Sequence, residues 1–201
     1  MLKLYTAETN NGQRARIILD ECELPYEMHL VDIHHGAART DEFRKINPNG
    51  RIPVLVDPDG FDGKPMTVTQ SWAICLYAAE KAQRYVPKNP RRRLESLEWF
   101  FYVATDVSPM RAPNQAAVEI GAQDGVRAFY DRNFREALEN LDCRLAGVEY
   151  LGGELSIADF AFYPMFHRRR ALAETEPKLN NLLRWGALMD SRPRCRNVVK
   201  G

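Results

Sequence analysis

Long apolar runs are missing from this 201-residue chain, and so is any C-x-x-C pair among its four cysteines. The first absence leaves nothing of membrane-spanning length. The second argues against a zinc site or a dithiol redox centre, since both need closely spaced thiols. Charge of one sign is also lacking: 28 basic residues stand against 27 acidic ones, which does not favour a polyanionic partner such as DNA. The opening MLKLYTAETNN has no continuous apolar core of a secretory signal, so residence in the cytosol (cytoplasmic) is expected. In that compartment the widely spaced Cys22, Cys75, Cys143 and Cys195 form no expected disulfide. Cys22 and Cys75 sit in apolar helical patterns and read as buried, inert thiols. His34 and His35 are adjacent, so on a strand they point to opposite faces and make poor joint metal ligands. No metal is expected.

What is present is a globular composition, 45% hydrophobic and 27% charged, long enough for one large domain or two small ones. The first 80 or so residues alternate strand and helix signals. LKLY reads as a strand, then Ala15, Ile18, Leu19 and Cys22 fall on one helical face. YEMHLVDI follows as a strand, TDEFRKI as a short helix, RIPVLVD and MTVTQ as strands, and SWAICLYAAEK as a helix. The order is βαβ-α-ββα, an α/β unit whose sheet needs helical cover. From Lys81 to Pro90 the texture changes to that of a linker. Beyond it helical patterns take over: Leu94, Leu97, Phe101 and Ala104; Leu138, Leu141 and Leu145; and PKLNNLLRWGALM. The expected organisation is residues 1–82 as an α/β domain, 83–90 as linker and 91–201 as an all-α helical domain.

Three places in the first domain carry chemistry. Pro53 heads an apolar strand; a trans strand-start proline is the ordinary reading. A cis bond would instead turn the backbone of Ile52 outward to pair with an extended peptide. Gln70 and Ser71 stand where strand gives way to helix. Ser71 reads either as a simple N-cap or as part of an anion site for a carboxylate, with the Gln70 amide oxygen beside an ammonium. Thr9 and Asn11, in TAETNNGQRAR, open the first helix through an Asn-Gly turn signal. They close a helix end, and can also donate to a thiolate held at its positive pole. An anion site, a peptide-pairing backbone and a thiolate site together fit γ-Glu-Cys-Gly.

At this point the chain resembles the cytosolic glutathione transferase superfamily over essentially its whole length. The resemblance rests on NPNGRIPVLVD, TQSWAICLYAAEK and YLGGELSIADFAFYP, while the opening TAETNNGQRARIILDECELPYEMHLVDI looks most like the nu class and the fungal nitrogen-regulator-like transferases. It implies a thioredoxin-like N-terminal domain, an all-α C-terminal domain and a homodimer. It also implies a cis Pro53, Ile52 on the cysteinyl backbone, Gln70 and Ser71 on the γ-glutamyl end, and Thr9 and Asn11 near the thiol. The implied activity is glutathione-dependent disulfide reduction with modest conjugation, glutathione being co-substrate. A binding or assembly module with little turnover, and conjugation or isomerisation of a particular metabolite, are the alternatives.

Departures from the branch are visible. Asn10 replaces a proline, Gln70 a glutamate, and Ala38 stands where Gln or His meets the glycine end, leaving Arg39 or Arg51 for that carboxylate. No cysteine starts the first helix, and Tyr5 ranks below Thr9 and Asn11 as a sulfur donor. Phe101, Tyr102 and Met110 are candidates for an acceptor pocket, and Arg132 and Arg135 for a second glutathione. Ser156 and Asp159 read as a structural capping box. The arginine runs 91–93 and 168–170 read as solvated helix faces.

Overall fold

Alternation of side chains along the first strand decides how the sheet is covered. In the computed structural model, which describes residues 1–110, 121, 124–175 and 177–200, β1 (Leu2–Thr6) buries Leu2, Leu4 and Thr6 on one face. Tyr5 points the other way, edge-on to Phe43 at 6.2 Å and stacked on His29 at 4.7 Å. Parallel to β1 runs β2 (Tyr26–Leu30), reached through the helix α1 (Asn10–Glu21). On its other side β3 (Val54–Asp57) pairs antiparallel, Leu4 opposite Leu55, and β4 (Met66–Val68) closes the edge. The order is β2-β1-β3-β4. The face holding Val54 and Val56 packs on Ala38 and on Phe43 of α2 (Asp41–Ile46). The opposite face, with Leu4 and Leu55 fully buried, lies under α1 and α3 (Ser71–Ala82), which pack side by side. This is a thioredoxin-like α/β arrangement in the expected βαβ-α-ββα order.

Local chemistry sets the element ends. Thr40 caps α2 by accepting from the Phe43 N–H at 3.3 Å. Asp57, at the end of β3, accepts from Tyr77 Oη at 2.6 Å and pairs with Lys81 Nζ at 2.8 Å, tying β3 to α3. Burial works against the Asp57 charge, but Lys81 and Tyr77 outweigh it and hold the carboxyl below its usual range. The second strand is shorter than YEMHLVDI, because its partner β1 ends at Thr6.

The chain forms two compact units, Met1–Val86 with the segment from Pro193 onward, and Pro87–Arg192. The second unit is helical among the described residues: α4 (Pro90–Tyr102), a wider π-type turn at Val103–Val107, α5 (Asp124–Leu145), α6 (Ile157–Glu174) and α7 (Asn180–Asp190). Its core gathers Phe162, Phe166 and Trp185, with Phe162 stacked on Trp185 at 5.2 Å.

One face of α4 and the turn after it, Ser96, Phe100, Val103 and Val107, is buried, while Leu94 and Phe101 are 69% and 51% exposed. One expectation changes here. The last helix, α8 (Pro193–Lys200), joins the first unit rather than the helical one. Cys195 on α8 meets Glu21 Oε1 at 3.3 Å, Arg194 pairs with Glu23 at 2.8 Å, and the Val198 carbonyl accepts from Gln13 at 3.4 Å.

Candidate functional site

The site begins with the turn between β1 and α1. Helix α1 starts at Asn10, so Asn11 and Gly12 lie inside its first turn rather than in a turn preceding it. Thr9 is the N-cap, its hydroxyl oxygen accepting from the Gly12 N–H at 3.0 Å. That bond uses a lone pair and leaves the hydroxyl hydrogen available. Gly12 is required by close approach: a Cβ there would sit 2.0 Å from the Ala7 carbonyl oxygen and 2.5 Å from Thr6 Oγ1. Glu8 braces the turn, pairing with Arg16 at 2.5 Å and accepting from Gln13 at 3.4 Å.

At the sheet end, the Ile52–Pro53 bond is cis. Buried Asn47 organises the approach to it. Its side chain donates to the Arg51 carbonyl at 2.6 Å and accepts from the Asn49 N–H at 3.1 Å. Gly50 adopts φ of +59°, and a Cβ there would meet the Ala38 carbonyl oxygen at 2.9 Å. Ile52 lies just outside the ladder, before β3.

At the start of α3, the N-cap is Gln70 and not Ser71, and Gln70 makes no side-chain cap bond. Ser71 is the first helical residue, buried, and its hydroxyl accepts from Arg14 Nη1 at 2.9 Å. The simple N-cap reading of Ser71 therefore fails, because its oxygen is turned toward α1. Its own hydrogen remains to be donated.

A cavity of about 460 Å³ is lined by Asn11, Arg51, Ile52, Pro53, Gln70 and Ser71, among others. A second, of about 240 Å³, shares Asn11, Arg51 and Ile52 with it and adds Thr9, Ala38 and Arg39. Residues from three separate stretches of chain thus meet. The starts of α1 and α3 both border the space, and helix starts favour anions.

Sequence reasoning missed Arg14 and Asn47. Arg14 is 1% exposed; it donates to Asn11 Oδ1 at 2.7 Å, and its guanidinium lies 3.9 Å from the Trp72 ring centroid. The available signal was its spacing: it stands four residues before Ile18, on the buried stripe of α1.

The other candidates stay within the helical unit. Tyr102 accepts from Asn140 at 3.1 Å and packs edge-on to Trp99 at 5.4 Å. Phe101 is half exposed and Met110 half-buried. Arg132 lies 5.8 Å from the Phe129 ring. Arg135 does not present a bare cation: it pairs with Glu139 at 2.9 Å and donates to the carbonyls of Leu172 and Pro177 and to Thr175 Oγ1. These acceptors lie at the C-terminal end of α6 and just beyond it. Ser156 and Asp159 form a capping box at the start of α6.

The four cysteines are unpaired with one another, and burial pushes the Cys22 and Cys75 thiols up to about 12. Among the described residues no group of three or more His, Cys, Asp or Glu could hold a metal, and no helix is long and apolar enough to cross a membrane.

Comparison with known proteins places the chain in a family. Residues 10–81 match the family model of the glutathione S-transferase N-terminal domain. The disulfide-bond oxidoreductase YfcG of Escherichia coli is 34% identical over 200 residues, covering 96% of this chain and 92% of that protein. The chain belongs to the glutathione S-transferase family. Among solved members, a glutathione transferase of Pseudomonas putida with one glutathione disulfide bound per subunit superposes with a TM-score of 0.90 at 28% identity, covering 99% of this chain and 90% of that one. One from Burkholderia graminis with two glutathione molecules per subunit gives 0.88 at 32% identity, covering 100% and 88%. The glutathione S-transferase fold, a thioredoxin-like domain plus a helical one, is thus shared along the chain.

Proposed function

We propose that this glutathione S-transferase is a glutathione-dependent transferase and disulfide reductase of the nu-like branch. One observation carries the reading: a single cavity brings together Asn11, Ile52, cis Pro53, Gln70 and Ser71. Gln70 and Ser71 hold the γ-glutamyl end, aided by the positive N-terminal pole of α3. Ile52 pairs with the cysteinyl backbone. Thr9 and Asn11 donate to the sulfur and keep it ionised. The thiolate then attacks one sulfur of a disulfide, that S–S bond breaks, and the released sulfur leaves as a thiolate and takes up a proton. A second glutathione thiolate attacks the glutathione sulfur of the mixed disulfide, forming glutathione disulfide as the old S–S bond breaks and the substrate's remaining sulfur leaves as a thiolate and takes up a proton. Relatives holding one glutathione disulfide or two glutathiones per subunit support this two-step scheme.

On this reading residues 1–82 form the glutathione domain, the helical domain shapes acceptor choice around Phe101, Tyr102, Met110 and Arg132, and the protein works as a cytoplasmic homodimer without a metal. Glutathione is co-substrate. The test is calorimetry with glutathione, followed by reduction of hydroxyethyl disulfide. Binding with turnover is expected. Absence of binding would overturn the reading, and binding without turnover would leave a glutathione-binding module.

For the glycine carboxylate we assign Arg39 and Arg51. Ala38 has no polar group to offer, while both arginines line the pocket that also holds Thr9 and Asn11. Arg39→Ala combined with Arg51→Ala should raise the Kd for glutathione about tenfold, the cost of one charge-assisted hydrogen bond. The kcat with saturating glutathione should stay within about twofold. An unchanged Kd would remove the assignment.

A further inference from the structure

We infer that Arg14 is a positioning residue that aims Asn11 and Ser71 into the cavity together, coupling the sulfur end of the site to its γ-glutamyl end. The inference rests on the glutathione reading above. A guanidinium only donates, so the Asn11 atom facing it at 2.7 Å must be the carbonyl oxygen. The amide NH2 is then presented on the side away from Arg14, as a donor from a residue that lines both cavities. The same nitrogen, Nη1, donates to Ser71 Oγ at 2.9 Å. It carries two hydrogens, one for each acceptor, and each acceptor lies on a different helix. The hydroxyl hydrogen of Ser71 must likewise point away from the guanidinium.

Trp72 fixes the plane of the group from one face at 3.9 Å. Burial pulls the guanidinium down to about 10, so it remains charged at neutral pH. The ionisable group facing it from α3 is Cys75, whose thiol burial pushes up to about 12 and keeps neutral. The charge of Arg14 therefore polarises both donors without an added anion from Cys75. Lysine would keep the charge but lacks a planar fork that can serve two fixed directions and stack on an indole.

The test uses the full chain with Arg14→Lys and Arg14→Met, reading kcat/KM for glutathione-dependent disulfide reduction against pH, with glutathione binding measured by calorimetry. The acid limb of the Arg14→Lys profile should move up by about one unit, costing about tenfold in rate below the limb and converging on the parent at high pH. Arg14→Met should move it at least as far and weaken glutathione binding as well. A merely structural role, over the pH range in which both proteins stay folded, leaves the position of the limb unchanged. An unshifted limb in a folded Arg14→Lys protein would overturn the inference while leaving the glutathione reading intact. A parent protein that binds no glutathione overturns both. Should neither variant fold, the parent's glutathione complex decides. Asn11 Oδ1 still on Arg14 with Nδ2 facing sulfur supports the assignment, and an amide rotated off Arg14 overturns it.

Discussion

Thr9→Ala combined with Asn11→Ala is expected to lower kcat/KM for glutathione-dependent disulfide reduction about a hundredfold at neutral pH. The estimate follows the loss of a positioned donor at a charge-bearing atom, which costs about 10²–10³ in other enzymes. Thr9 does two things here. Its oxygen closes the start of α1 on the Gly12 N–H, and its hydrogen is left for the sulfur. The Asn11 amide offers its NH2 because Arg14 holds its oxygen. Without both, the bound thiol drifts back toward its free value of about 8.5, and the thiolate fraction at neutral pH falls.

The two residues separate cleanly. Thr9→Ser keeps the cap and the hydroxyl, so it should retain activity within about threefold, whereas Thr9→Ala alone should also cost about 1 kcal/mol of stability. Binding of glutathione should weaken far less than turnover falls, since Gln70 and Ser71 hold the other end. A double variant within a few-fold of the parent at neutral pH would sink the sulfur-site assignment. The ultraviolet absorbance of the bound thiolate, followed against pH, gives an independent check.

Asp159→Ala should cost roughly 3 kcal/mol or more of folding stability, by denaturant titration. The carboxylate is fully buried and accepts from the N–H of Leu151, the N–H and hydroxyl of Ser156, and Trp185 Nε1, all at 2.9–3.2 Å. Removing it strands three buried N–H donors, each worth about 1–3 kcal/mol. Asp159→Asn should fall between. Its amide oxygen can keep Leu151 and Trp185, but its NH2 then faces the Ser156 N–H, donor against donor. Equal stability of the Asp and Asn forms at neutral pH would refute this account.

The pH dependence has an unusual sign. Burial pushes the Asp159 carboxyl up to about 6, the N–H donors of Leu151 and Trp185 pulling against it. The unfolded value is near 3.8, so between about pH 4 and 6 the folded protein holds a proton that the unfolded chain has released. The group's contribution therefore falls as pH rises through that window and is constant above it. The deficit of Asp159→Ala relative to the parent should be larger near pH 4 than at pH 7. A deficit that grows with pH would contradict the direction assigned.

Much of the fold was legible because period and turn chemistry act locally. Ala15, Ile18, Leu19 and Cys22 are all buried, as their helical spacing requires. Thr40 and Ser156 cap the helices that they precede. The spacing of Leu94, Leu97 and Phe101 marks α4 as a helix, but a helix with apolar residues on two sides carries no local mark of which side its neighbours will cover. Leu94 and Phe101 stayed exposed while Ser96, at 0% exposure, went inside. The final helix was assigned by adjacency in the chain, whereas its contacts, Cys195 to Glu21 and Arg194 to Glu23, span more than 170 residues.

The candidate site divides along the same line. Residue types and order alone determined that a polar helix start, a proline-led strand and a Gln-Ser helix start lie in one α/β domain, since each depends on a few neighbouring residues. Only the tertiary structure decided that Ser71 is not an N-cap, that Asn11 presents its NH2, and that one buried arginine governs both. These outcomes depend on hydrogen-bond directions across α1 and α3, between residues 57 positions apart. A donor's aim is set by whatever the fold places opposite it, and no local spacing encodes that.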